Sequence, residues 1–155
     1  MTKKMAIIAT KGTLDMAYPP FILASTAAAL GYDVQIFFTF YGLQLLRKDL
    51  SDVKISPLAN PAMPMPVPMP VMVQMLPGME TMATMMMKQK LKKHGVATLE
   101  ELRDLCLEAD VKFIACQMTV DLFEFDKSDF IDGIEYGGAA TFMKFAGETD
   151  VCLFI

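Results

Sequence analysis

The chain has 155 residues, 54% of them hydrophobic, and a formal net charge of −4. That length fits a single domain with a sizeable core, and the acidic balance excludes the basic footprint of a nucleic-acid binder. No stretch of about 18 residues is apolar without proline or charge, and no signal peptide opens the chain, so the sequence predicts a soluble, cytoplasmic protein. So apolar a composition in a soluble chain also points to surface covered by further copies of itself.

Residues 5–10 read as a buried first strand, followed by the turn Lys11-Gly12-Thr13. Thr13 or Asp15 is placed to cap the next helix. Proline is tolerated only in a first turn, so Pro19 and Pro20 predict an irregular start, with regular helix over 21–30 and a stop at Gly31. A second strand is expected over 33–40, a turn at Tyr41-Gly42, and a short helix over 43–48. Strand, helix and strand within about 35 residues is the size of a βαβ crossover and predicts a parallel sheet.

The middle of the chain changes character. Six prolines lie between Asn60 and Gly78, and ten of the fifteen methionines lie between Met63 and Met87. The first part of this stretch is expected to be neither helix nor central strand. A helix is expected over 79–93, ending at Gly95. Thr98-Leu99-Glu100-Glu101 is a capping box that opens a helix reaching about residue 109. Beyond it the pattern predicts a strand over 111–116, a short helix over 118–123 and an acidic loop to Asp132. A short strand over 134–136, a helix over 139–146 and a buried last strand over 151–155 complete the chain.

Cys116 is the most informative residue. It ends the apolar run Val111-Lys112-Phe113-Ile114-Ala115, which places it at the carboxyl edge of the sheet, where open α/β folds bind ligands. A helix starting just after it would favour the thiolate, the nucleophilic form. The competing reading is a buried structural cysteine. Cys106 and Cys152 bring the count to three, with wide spacing and no CxxC pair, which speaks against a zinc site, a thioredoxin motif or a disulfide framework. Cys152 is expected in the core, and Cys106 is weighed as a resolving thiol. His94, the only histidine, sits at a helix C-terminus, where positive charge suits the dipole. No metal-ligating cluster is evident.

Lys11-Gly12-Thr13 follows a strand and precedes a helix, a position that can cradle an anion, but it lacks the GxGxxG and Walker A patterns. Lys11 is placed to attract an anionic substrate to the edge that carries Cys116. Asp121 lies five residues beyond Cys116 in an acidic stretch with Glu124, Asp126, Asp129 and Asp132. The stretch reads as a solvated face, and a carboxylate near the thiol opposes its ionisation unless it caps a helix or relays a proton. The methionine segment has three readings: soft Cu(I) ligation, a flexible flap or partner surface, and packing against other subunits. Its methionines are mixed with Val and Pro, a composition that favours flap or packing over copper.

The order of these fragments resembles the DsrE/DsrF-like family of small sulfur-relay proteins, in its longer branch of predicted peroxiredoxins. The residues that carry the resemblance are Lys11-Gly12-Thr13-Leu14-Asp15, Phe38-Thr39-Phe40-Tyr41-Gly42-Leu43, the stretch from Ile114 to Leu122, and the stretch from Asp132 to Phe142. Asn60-Pro61-Ala62-Met63-Pro64 is similar to that branch too. The resemblance implies a three-layer α/β/α sandwich with a mostly parallel sheet of about five strands. It also implies one domain over 1–155 with a Met/Pro-rich insertion at about 60–87, and a homo-oligomer. Cys116 would carry sulfur as a persulfide and exchange it with a small TusA-like carrier protein or a low-molecular-weight thiol, with no cofactor.

The sequence reading is therefore a cytoplasmic sulfur relay in which Cys116 holds the sulfur and the backbone N–H groups of Gln117 and Met118 steady the anion. Lys11, Gly12, Tyr41 and Asp121 line the site, and the Met/Pro segment shields it. A non-catalytic assembly module whose methionine surface binds a partner, a membrane-bound one included, and a thiol peroxidase working through a Cys116 sulfenate are the alternatives.

Overall fold

Val, Ile and Phe concentrate in short segments, as residues that suit a pleated buried surface do, and five such segments pair into one sheet. The computed structural model describes residues 1–55, 66–67 and 70–155. The strands are β1 (Lys4–Ala9), β2 (Asp33–Phe38), β3 (Lys112–Cys116), β4 (Glu135–Gly137) and β5 (Val151–Phe154). Their order is β4-β3-β2-β1-β5, and every pairing is parallel. The chain lays β2, β3 and β4 to one side of β1 and then returns to place β5 on the other. Right-handed crossovers then demand helices on one face for the outward run and on the opposite face for the return. Helices α1 (Leu14–Ala29) and α4 (Leu99–Glu108) share one face, and α6 (Ala139–Ala146) lies on the other, giving the expected three-layer α/β/α sandwich.

The main core lies between the sheet and α1 and α4. Phe21 of α1 packs on Phe38 and Phe113 with ring centroids 6.0 and 5.8 Å apart, and Phe38 meets Phe113 edge-on at 5.2 Å. Full burial of each such ring stabilises the fold by about 1.5–3 kcal/mol. The opposite core is small: Ala6, Phe37, Ile114 and Cys116 under Phe142 of α6, with Phe37 and Phe142 stacked at 4.9 Å.

Three expectations need correction. First, α1 runs unbroken from Leu14 with Pro19 and Pro20 inside it, although each proline withholds an N–H from the helical ladder. The burial of Ala17, Pro20, Phe21 and Ala24 against the sheet outweighs that loss. Second, residues 39–46 leave β2 early and form a 3₁₀ helix, Phe40–Leu46. Third, β5 is an edge strand that pairs with β1 among the described residues, and its exposed Cys152 and Phe154, in register with Ala6 and Ile8, lie on the α6 face of the sheet but beyond the cover of that eight-residue helix. Cys152 is therefore not a core residue.

The capping box is formed as read: Thr98 Oγ1 accepts from the Glu101 N–H at 3.2 Å, and the Thr98 N–H donates to Glu101 Oε2 at 3.0 Å. The helices α2 (Val71–Gln74) and α3 (Met79–Lys93) follow the proline-rich run. Thr84 on α3 accepts the Ile55 N–H at 3.1 Å, and Lys54 Nζ donates to Thr81 Oγ1 at 2.8 Å. Met72, Met75, Met82, Met85 and Met86 are exposed. The Asn60-to-Pro64 turn lies outside the described residues.

Two glycines lock the carboxyl edge of the sheet. A Cβ on Gly12 would collide with the Tyr41 carbonyl oxygen, and one on Gly42 with the Ala9 carbonyl oxygen. The end of β1 and the 3₁₀ helix thus pack backbone on backbone, which only glycine permits. Gly42→Ala is expected to lower the unfolding free energy by about 1–3 kcal/mol, the usual cost of overpacking, in urea melts with unchanged slope.

Candidate active site around Cys116

The register of β2 and β3 brings the site together. Phe38 pairs with Ala115, so the following residues, Thr39 and Cys116, leave the sheet side by side. The Thr39 N–H stays fixed on the Ala9 carbonyl at 3.1 Å. Cys116 is the N-cap residue of α5 (Gln117–Leu122), which puts Met118 and Thr119 in the first turn above its sulfur.

Cys116 is 5% exposed, with its side chain on the α6 face of the sheet. Burial pushes its thiol up. The Thr119 hydroxyl and N–H, the Thr39 hydroxyl and the Met118 N–H favour the anion more strongly, and the thiol lies below its ordinary value. The hydroxyls form a relay. Thr119, fully buried, accepts the Phe40 N–H at 3.3 Å, and its Oγ1 lies 3.2 Å from that of Thr39. Either hydroxyl can be the donor across that contact, and both favour the Cys116 anion. Phe40 adopts φ 49°, an uncommon conformation for a bulky residue, as its N–H bonds to Thr119. Farther along the 3₁₀ helix, the buried Arg103 of α4 donates through Nη1 to the Leu45 and Arg47 carbonyls at 2.9 and 2.6 Å.

The residues singled out in the sequence fall into different roles. Met118 presents its N–H to Cys116 while its side chain is exposed. The second amide on the sulfur comes from Thr119 rather than Gln117. Gln117 instead donates from Nε2 to Asp121 Oδ1 at 2.7 Å, and Asp121 is not among the groups that shift Cys116. Gly12 packs against the Tyr41 backbone. Tyr41 is exposed and stacks on Phe123 at 6.0 Å, with Phe40 edge-on to the same ring at 6.0 Å. Lys11 is exposed on the turn before α1, and it too is not among the groups that shift Cys116. Sequence reasoning missed Thr39 and Thr119. Thr119 had a signal, since a residue three beyond an N-cap returns to it. Thr39 had none without the strand register.

Cys106 faces the other side of the sheet. It is fully buried in the main core, donates to the Phe21 carbonyl at 3.4 Å, and burial pushes its thiol up to about 12. The sheet therefore separates it from Cys116, and it is not placed to resolve a Cys116 sulfenate. Among the described residues, no group of three or more His, Cys, Asp or Glu converges as metal ligands do, and no helix is long and apolar enough to cross a membrane.

The pH profile of iodoacetamide alkylation at Cys116 is expected to have its midpoint below that of an ordinary thiol. Thr119→Val should move it upward, because a hydrogen bond to a charged acceptor is worth about 1.5–3 kcal/mol. An unchanged midpoint in that variant removes the hydroxyl from the account. Cys106 should stay unmodified until the protein unfolds.

Comparison with known proteins agrees with this architecture. A sulfur carrier protein, DsrE2 of Allochromatium vinosum, is 67% identical over 157 residues, spanning 99% of this chain and 98% of that one. The uncharacterized protein YrkE of Bacillus subtilis is 35% identical over 158 residues, again spanning 99% and 98%. The crystal structure of the ychN protein from E. coli superposes with a TM-score of 0.57 at 12% identity, over 99% of this chain and 100% of that one, a likeness of fold alone. The model of the DsrE/DsrF/DrsH-like family matches residues 1–154, and the chain belongs to that family.

Proposed function

We propose that this protein is a sulfur relay that holds sulfane sulfur as a persulfide on Cys116 and passes it to an acceptor thiol. The observation that carries the reading is a thiol lowered despite its burial, by hydroxyl and amide hydrogens, at the carboxyl edge of the sheet. The high identity to a sulfur carrier protein supports it.

In loading, the Cys116 thiolate attacks the outer sulfur of a donor persulfide. The donor's S–S bond breaks, a new S–S bond forms on Cys116, and the donor leaves as a thiolate. In unloading, an acceptor thiolate attacks the outer sulfur of the Cys116 persulfide, and Cys116 departs as a thiolate. Each exchange conserves sulfur and charge and needs no outside oxidant. The hydrogens of Thr119, Thr39 and Met118 serve both steps. They stabilise the attacking anion in the first and the leaving anion in the second, and a lower thiol pKa makes a better leaving group.

A small TusA-like carrier protein or a low-molecular-weight thiol is the exchange partner in this reading. Its compartment is the reducing cytoplasm, which suits free cysteines. The chain acts as one domain over 1–155 with a Met/Pro-rich insertion at about 60–87, in a homo-oligomer that covers the apolar surface around Phe154 and Met143. Lys11, Gly12, Tyr41, Gln117, Met118 and Asp121 surround the exchange site.

The test is intact mass after incubation with polysulfide, on the wild type and on Cys116→Ser, Cys106→Ser and Cys152→Ser. The expected result is a one-sulfur gain that dithiothreitol removes and that only Cys116→Ser abolishes. No gain on the wild type favours the assembly reading, for which the exposed methionines of α3 are the motivating surface.

A further inference from the structure

The elements that hold the buried Cys116 also carry exposed apolar side chains. Tyr41 is 66% exposed, Met118 62% and Leu122 59%, and Phe40 and Phe123 are exposed as well. They belong to two elements that touch, the 3₁₀ helix and α5 with its C-cap Phe123. Phe123 contacts both Phe40 and Tyr41, while Met118 and Leu122 lie four apart on α5 and so share a face. A low-molecular-weight thiol has no use for a platform of five large side chains, whereas a protein partner does.

One flank of this platform carries an excess of acidic residues. Between Gln117 and Ile134 the chain carries five carboxylates, Asp121, Glu124, Asp126, Asp129 and Asp132, and one cation, Lys127. All five carboxylate residues are exposed, and the Lys127 ammonium lies over the Tyr136 ring at 4.2 Å. The 3₁₀ helix Phe40–Leu46 has no charged residue; Arg47 and Lys48 after it pair along residues 129–131, with Arg47 held by Gln44 at 3.3 Å, so carboxylates still outnumber cations there. Two copies of the chain meeting symmetrically through this face would bring acidic rims together, which like-charge repulsion opposes.

Building on the sulfur-relay reading, we infer that the Phe40–Tyr41–Met118–Leu122–Phe123 platform docks an acceptor protein whose thiol sits on an apolar tip flanked by lysine or arginine. The apolar centre excludes water around the exchanging sulfurs. The acidic flank draws in and orients a basic partner, the usual division of labour between an interface core and its charged rim.

The test uses the full chain, loaded with sulfur at Cys116 by polysulfide, and three acceptors. Two are synthetic peptides of equal length, each with one cysteine between leucines, one carrying four lysines and the other four glutamates. The third is 2-mercaptoethanol. Transfer to the lysine peptide is expected to be about tenfold or more faster than to the glutamate peptide at low ionic strength, with the advantage shrinking as salt screens the charges. Leu122→Ser, and separately the double variant Glu124→Lys with Asp129→Lys, should each lower the lysine-peptide rate relative to the mercaptoethanol rate. Equal rates for the two peptides, or ratios unmoved in both variants, overturn the inference. So does a change of sedimentation coefficient in both variants, which would give the platform to a second copy of this chain. Failure of Cys116 to take up sulfur ends the relay reading and this one together. A loaded Cys116 that treats the peptides alike ends this one alone.

Discussion

A parallel register decides what surrounds the Cys116 thiol. Because Phe38 pairs with Ala115, the chain leaves β2 and β3 at the same level, and Thr39 and Cys116 emerge as neighbours. Everything that acts on the sulfur is fixed by that alignment. Thr39 brings its hydroxyl from one strand end, and α5, starting at the other, turns Met118 and Thr119 back over the thiol. The glycine contacts at Gly12 and Gly42 hold the 3₁₀ helix against the end of β1, so that the Phe40 N–H reaches Thr119. A slip of one residue between β2 and β3 would move alternate side chains to the opposite face and dismantle the cluster.

The two buried cysteines show how the number of hydrogen-bond donors set against burial decides which way a thiol shifts. Cys106 donates to the Phe21 carbonyl, and desolvation pushes its thiol up to about 12 against one opposing amide, that of Ser25. Cys116 is less deeply buried and meets two hydroxyls and two amides, which favour the anion and outweigh its desolvation. The sheet lies between the two residues, so the inert thiol serves the main core while the ionisable one lies at the edge.

Much of the architecture is legible in the order of residues. The strand–helix–strand size of the first forty residues, the Thr98 capping box and the apolar run before Cys116 are local patterns. Each reflects energetics settled within a few residues: crossover length, N-cap hydrogen bonds and burial of a short strand. Where local rules failed, long-range packing had overruled them. Pro19 and Pro20 sit inside α1 because its apolar side is buried against the sheet. Val151 to Phe154 has the composition of a buried strand, but it pairs on one side only, and α6 is too short to cover Cys152 and Phe154.

The site divides in the same way. Sequence alone determined the family, the α/β class and Cys116 as the thiol at a strand's carboxyl end, because these follow from local composition and from motifs contiguous in the chain. Tertiary structure alone decided which groups stabilise its anion, since Thr39 lies 77 residues before Cys116 and reaches it only through strand pairing. It also decided that Cys106 and Cys116 face opposite sides of the sheet and that the aromatic residues near Thr39 and Thr119 form one surface. Hydrogen bonds and ring contacts act over a few ångströms, and only the folded register brings residues so far apart in sequence within that distance.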